Sequence, residues 1–504
     1  MRNILCFFMV VIFIFSLSSC SKPAVQTTAK VLNNETAEAV NINTDASLTL
    51  SYSPSDTLNP YKTKSEVNIL LCTLMYDSLV TVSRNFDAVL NAALSITNEN
   101  KVYNVQINKN IVFWDDTKLS SSDVVYSLNT AKSSNSIFKE RLSNVSSVSE
   151  TDGGVKITLK EPDPYFANCL DFPIIKNNTN SKDIPIGSGR YILNDKTLSY
   201  NTKHAGEVPN IKTIHLIEML DYETTIRSLE IGRTSLFYSD LSQGDISGLN
   251  GSFSSVPINH IIYMGMDNLN SKLSSDVKKA ISLALDRDEI SAKAFLGRAV
   301  SATGPFHPDF TPAKAVQMGN TAENIDEAVK LLEKEGYTNK DSSGIRSHKN
   351  GKRLSFDLIV NKDSQPKQVI ASLIAEEFKT IGIQINIKKY DFEEYKNRIT
   401  DVSNYDFYIG ETKLTNNMNL TYLLRPGEPL GYGLNPEGTM LDTYKSFLQD
   451  SKKIKEFIDA FYGDLPFIPI SYREGVVASS RNIAGILPSA TGIFTNIEEW
   501  VTEE

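Results

Sequence analysis

The stretch from Ile370 to Ile387 most constrains the fold. Ile370, Leu373, Ile374 and Phe378 recur at helical spacing, and Gly382 supplies a stop. Ile383-Gln384-Ile385-Asn386-Ile387 then alternates as a strand. A helix that turns on a glycine directly into a strand is an α/β unit. Ile325, Ala328, Val329 and Leu332 make a second apolar helix face, with Gly336 as its stop. The first half is richer in alternation. Ser47–Tyr52, Val102–Ile107 and Val155–Leu159 read as strands, the first running into the turn residues Ser53-Pro54-Ser55-Asp56. Ser120-Ser121-Ser122-Asp123 opens a helix through Val124, Val125 and Leu128. The apolar run Val67–Val80 reads as one further helix.

The N-terminus limits which residues can join that fold. One basic residue, Arg2, precedes an apolar run from Ile4 to Leu17 and then Leu17-Ser18-Ser19-Cys20. A charged start, a short apolar segment and a small-residue cut site make a secretory signal, too short to span a bilayer comfortably. Leu-small-small-Cys resembles the lipobox of bacterial lipoproteins. That likeness implies removal of residues 1–19 and lipidation (palmitate) of Cys20. Residues 20–45 are then a polar tether on the extracytoplasmic face of the cell membrane, periplasmic or cell-surface.

Removing the signal takes away Arg2 and moves the formal net charge from -9 to -10. Charges are mixed along the chain with no basic stripe, which argues against nucleic acid as a partner. Of four cysteines, Cys6 leaves with the signal and Cys20 is the anchor. Cys72 and Cys169 remain, either as one disulfide or as two buried thiols. His204, His215, His260, His307 and His348 stand apart, without metal-ligand spacing, and no metal or other cofactor is expected. No nucleophile elbow, phosphate-binding glycine loop or dinucleotide fingerprint is present, so the chain is not expected to be an enzyme. Acid pairs such as Asp115-Asp116 and Glu393-Glu394 read as solvated charges.

A set of ordered fragments carries a further likeness. Thr57-Leu58-Asn59-Pro60-Tyr61 is followed by Leu74-Met75-Tyr76-Asp77-Ser78-Leu79-Val80, and then by Val112 to Leu128 with Phe113-Trp114-Asp115-Asp116 near its start. Next come Lys160-Glu161-Pro162-Asp163-Pro164-Tyr165-Phe166, Pro185–Tyr191 and Val277–Arg287. Thr303-Gly304-Pro305-Phe306, the helix end at Ala328–Tyr337 and Leu465–Ile470 complete the order. This succession resembles the family 5 extracellular solute-binding proteins, the dipeptide and oligopeptide binders of ABC transporters. Asp116 stands where that family has Gly, and Arg190 where it has Pro.

The resemblance implies a two-lobed α/β fold of the periplasmic-binding-protein type II kind, with an extra β-rich subdomain inserted in lobe one. Lobe I is expected over 46–262, with the insert at about 82–182, lobe II over 263–470, and a return to lobe I over 471–504. A monomer is expected to enclose a peptide or other small solute and present it to a permease. Tyr52, Ser53, Asn59 and Tyr61 are expected to face the cleft from lobe I, with Tyr263, Met266, Glu411, Asn416 and Asn417 facing it from lobe II. Packed core roles for Tyr52 and Tyr263 are the alternative. The loop Glu411–Leu420 lacks the Trp and the Asp-Pro of the peptide binders' loop, whose Asp carboxylate pairs with a ligand's free α-amine; Glu411 substitutes for it if the loop bends differently. Recognition of a free N-terminus is therefore expected to be weak. A non-transport sensor or surface-interaction lipoprotein on the same fold is the second functional expectation.

Overall fold

The computed structural model describes residues 46–502 apart from 134, 220, 242–251, 318–322, 401–404, 435–437 and 481. The signal, Cys20 and the tether lie outside the described residues. No described helix is long and apolar enough to cross a membrane.

Lobe I combines two four-stranded sheets over one apolar core. In the first, Ser47–Tyr52 pairs in parallel with Thr213–Glu218, followed by Thr197–Tyr200 and Tyr191–Asn194. The second is the antiparallel order Ala93–Glu99, Val102–Ile107, Gly154–Leu159, Val145–Thr151. Leu48, Leu50, Val105, Ile157 and Leu128 of helix Ser121–Ala131 share the core. The helix opens as its sequence predicts, with the Ser120 amide donating to Asp123 Oδ2 at 2.9 Å. The run Val67–Val80 splits: the helix is Glu66–Met75, and Val80–Val82 is a strand. Its residues stay apolar past Met75 because the strand is buried too, so composition alone does not mark the helix end. Cys72 and Cys169 are buried free thiols.

Lobe II is built on a sheet ordered Leu236–Ser239, Phe467–Ser479, Ser252–Met266, Phe407–Lys413, Ser355–Asn361, Gln384–Tyr390, whose first strand pairs with Val476–Ser479 and places Leu236 in the lobe I core. Ser355–Asn361 and Gln384–Tyr390 are parallel and flank the helix Gln365–Thr380. Gly382 takes φ +86°, and an added Cβ would lie 2.6 Å from Arg346 Cγ, so only glycine makes this turn cheaply. Residues alternate between two cores along the central strand. Ile262 and Met264 face the helices carrying Val277, Ala328 and Ile370, while Ile261 and Tyr263 face those carrying Tyr444 and Phe457. In the fragment Leu285-Asp286-Arg287, Asp286 caps the helix Arg287–Phe295, accepting from the Glu289 amide. The buried Arg287 guanidinium donates to Pro469 O and to Ser282 O and Oγ.

Two strands, Ser252–Met266 and Phe467–Ser479, run through both lobes. Val256, Ile258 and Val477 belong to the lobe I core, whereas Ile261 and Tyr472 belong to lobe II. The register shift between Pro257 and His260 falls at this passage.

Tyr263 pairs with Gly410 and Gly265 with Tyr408, so each ring lies over the opposite glycine. A Cβ on Gly410 would stand 2.4 Å from Tyr263 Cζ. Gly410→Ala is expected to lower stability by about 1–3 kcal/mol, the usual cost of overpacking. A thermal melt checks it, and an unchanged midpoint would show that the ring moves freely.

Candidate functional site: the cavity between the lobes

A cavity of about 360 Å³ lies where residues 140–163 of lobe I face residues 412–430 of lobe II. The lobe II wall begins as Phe407–Lys413 leaves the sheet. Asn259, itself buried, holds the exit: its Nδ2 donates to Thr415 O at 3.0 Å and its carbonyl accepts from the Leu414 amide at 2.9 Å. The loop beyond carries Asn416, Asn417 and Asn419. On the lobe I side the wall is the loop Lys160–Tyr165 and the segment Glu140–Asn144.

The walls are joined directly. Asn417 Nδ2 donates to Asp163 Oδ2 at 2.6 Å, and Asn419 Nδ2 to the same oxygen at 3.4 Å. Asn416 Nδ2 donates to Asp171 Oδ2 at 3.2 Å, and Asn168 Nδ2 donates to Asn416 O at 3.0 Å. Arg425 Nη2 meets Glu161 Oε2 at 2.7 Å. Asparagines on lobe II thus meet carboxylates on lobe I. Burial pushes the Asp163 carboxyl up to about 6, although Asn417, the Tyr165 amide and Asn419 all donate to it.

Charge converges at the inner end. Arg141 Nη1 binds Asp171 Oδ1, and its guanidinium lies over the Phe138 ring at 5.0 Å. Lys413 is open to the cavity while both walls enclose it. Burial holds its amine below the ordinary lysine range, and Arg141 opposite pushes the same way, while Asp240, Glu66 and Asp171 oppose. Glu66, in the first turn of its helix, accepts from the Asp240 amide at 3.2 Å. Burial and the charge of Asp240 raise its carboxyl to about 7.

The residues expected to face the cleft fall into separate places. Asn417 lines the cavity and Asn416 bridges beside it. Glu411 sits one step deeper among Arg473 (2.5 Å), Lys367 (3.1 Å) and His260 (3.7 Å). Burial opposes its ionisation, but His260, Lys367 and Arg473 outweigh it and hold the carboxyl far below the usual range. Its oxygens are thus committed to the protein's own cations. Tyr263 packs against Tyr408 and Phe467, and Met266 is in the lobe II core. Tyr52 Oη donates to Glu218 Oε1, and the Ser53 amide to Asn68 Oδ1. Asn59 is buried and donates to Asn180 O and Lys182 O; Tyr61 is buried with its hydroxyl on Pro173 O. Asp163, Asp171, Arg141, Lys413 and Arg425 are the site residues that the sequence did not single out. Asp163 and Lys413 stand inside stretches named above for other reasons, and the Asp163-Pro164 pair was the available signal.

The family model for bacterial extracellular solute-binding proteins, family 5 (middle region), matches residues 87–426. The oligopeptide-binding protein AppA of Bacillus subtilis (strain 168) is 22% identical over 461 residues, 82% of this chain and 84% of that protein. The nickel-binding protein NikA of Staphylococcus aureus (strain NCTC 8325 / PS 47) is 24% identical over 310 residues, 57% of this chain and 58% of that protein. Among solved structures, the unliganded open form of the periplasmic murein tripeptide-binding protein MppA superposes with a TM-score of 0.75. It shares 17% identity, covering 92% of this chain and 99% of that one.

Proposed function

This chain belongs to the family 5 bacterial extracellular solute-binding proteins, and from that membership we infer that it captures a peptide or peptide-like small solute between its lobes and delivers it to an ABC importer. The observation that carries this reading is the cavity itself. It is walled by both lobes, and its closure is made of polar contacts that a hinge motion can break and remake. A cleft of about 360 Å³ is at the small end of ligand sites. The name of the Bacillus relative favours a peptide; the nickel-binding relative shows how far solutes vary within the likeness. The N-terminal pattern Leu17-Ser18-Ser19-Cys20 supports a lipid anchor that keeps the binder beside its permease.

Denaturing freshly purified protein and identifying released solutes by mass spectrometry tests the proposal. One small solute in near-equal amount to protein is the expected result. Protein that stays empty, and whose radius of gyration does not fall when a short-peptide mixture is added, would refute a capture role.

A further inference from the structure

Arg141 and Lys413 approach one another across the cavity from opposite lobes. Closure brings these like charges together between two walls that partly enclose them, where repulsion is stronger than in open solvent. Each cation has capacity left over. Of the guanidinium's donors, Nη1 is taken by Asp171. The Lys413 ammonium, among the described residues, makes no hydrogen bond or ion pair within contact distance.

The acids around Lys413 do not supply a full counter-charge. Asp171 spends Oδ1 on Arg141 and Oδ2 on Asn416. Glu66 accepts from the Asp240 amide and, at about 7, is only partly ionised at neutral pH. That leaves Asp240 as the remaining acid facing the lysine. Elsewhere in the cleft Asp163 is committed to Asn417 and Asn419, Glu161 to Arg425 and Glu411 to Arg473 and Lys367, while Glu140 and Glu428 also line the cavity. None of Asp163, Glu161 and Glu411 is left free to take a ligand ammonium.

We propose that the cleft is an anion site, in which a carboxylate of a short solute is held between Arg141 of lobe I and Lys413 of lobe II. This deepens the solute-binding reading above and rests on it. The anion would turn a repulsion that opposes closure into two charge-assisted bonds that require it. The recognised end of the solute is therefore acidic, where peptide binders of this family hold an amine. Direct contact of the walls at Asn417–Asp163 and Arg425–Glu161 leaves no room for a long extended chain. The carboxylate belongs either to the C-terminus of a very short peptide or to a small free acid.

Titration calorimetry on the full chain at neutral pH, with trialanine, trialanine amide and glutarate, tests this. Trialanine binding roughly thirtyfold tighter than its amide, the size of one lost charge-assisted bond, supports both the anchor and the peptide reading. Glutarate binding without either peptide supports the anchor and removes the peptide reading. Equal affinity for trialanine and its amide overturns the proposal, as does failure of both carboxylate probes to bind. Lys413→Gln should weaken the carboxylate probe by the same factor and leave the amide unchanged. Because the Lys413 ammonium, among the described residues, makes no hydrogen bond or ion pair within contact distance, this variant should melt at the wild-type temperature. Wild-type affinity in Lys413→Gln would overturn the assignment.

Discussion

Asp163→Ala is expected to weaken solute binding roughly 30- to 100-fold while leaving the fold of each lobe intact. The substitution strands the Asn417 and Asn419 amides and the Tyr165 N–H in the closed interface. Buried donors left unpaired cost about 1–3 kcal/mol each. Opening the lobes relieves the two asparagines, so the penalty falls on closure, and closure is what holds the solute. The same carboxyl gives the binding a pH dependence whose sign follows from its position. In the closed form it titrates near 6, above its ordinary 3.8, because burial disfavours the charged state. A raised carboxyl favours closure fully below about pH 4, and that contribution is lost as pH rises through 6. A rise of this size corresponds to about 3 kcal/mol, an upper bound of roughly a hundredfold in affinity. Asp163→Asn keeps an acceptor and removes the charge, so its affinity should be flatter across this range. Calorimetry at several pH values on the wild type and both variants checks all three expectations. A wild type that binds more tightly with rising pH would reverse the argument.

The distance between these partners explains why the site was less legible than the fold. The helix Gln365–Thr380, its glycine stop and the following strand are written in neighbouring residues, and the same holds for the Ser120–Asp123 helix start. Periodicity and capping are local, so one stretch suffices to read them. Asn417 and Asp163 are 254 residues apart, and Asn416 and Asp171 are 245 apart. The loop Glu411–Leu420 stood out by what it lacked, but nothing within it says that its amides are donors to the opposite lobe. Tyr52, Asn59 and Tyr61 show the converse. Polar and aromatic residues after a first strand are as suited to tying a turn into its own lobe as to meeting a ligand. Here Asn59 binds the Asn180–Lys182 segment and Tyr61 braces the Phe138 ring beneath Arg141. Residue type was informative about chemistry, while the partner was decided by the chain path.

Phe86→Ala is expected to produce the largest loss of stability, about 3–5 kcal/mol, because this side chain carries lobe I into the lobe II core. The tight turn Ser83–Asp87 holds Phe86 at φ 60° and 1% exposed, its ring 4.7 Å from the His307 ring. Around it, Asn168 Nδ2 donates to Phe86 O at 2.6 Å, and Thr311 Oγ1 to Asp87 Oδ2 at 3.2 Å. Arg84 reaches both through-running strands, donating to Ser255 O and to Glu474 Oε1, each at 2.8 Å. Removing the ring leaves a hole beside the His307 ring, which itself lies 4.9 Å from the Tyr472 ring. It also removes one of the apolar links between the lobes, another being the Tyr165 ring on Phe310 and Phe447. Differential scanning calorimetry should therefore show a lower midpoint and a broadened or split transition. A single transition at the wild-type midpoint would mean that the ring contributes nothing. Acid should loosen the same junction from the other partner. Burial lowers His307 to about 4, with Arg84 and Lys314 pushing the same way against Asp309. An unfolded histidine takes its proton near 6.5, so stability from this group is present above that value and is lost as pH falls toward 4. The wild-type midpoint should drop across that window, and His307→Phe, which cannot take the proton, should drop less.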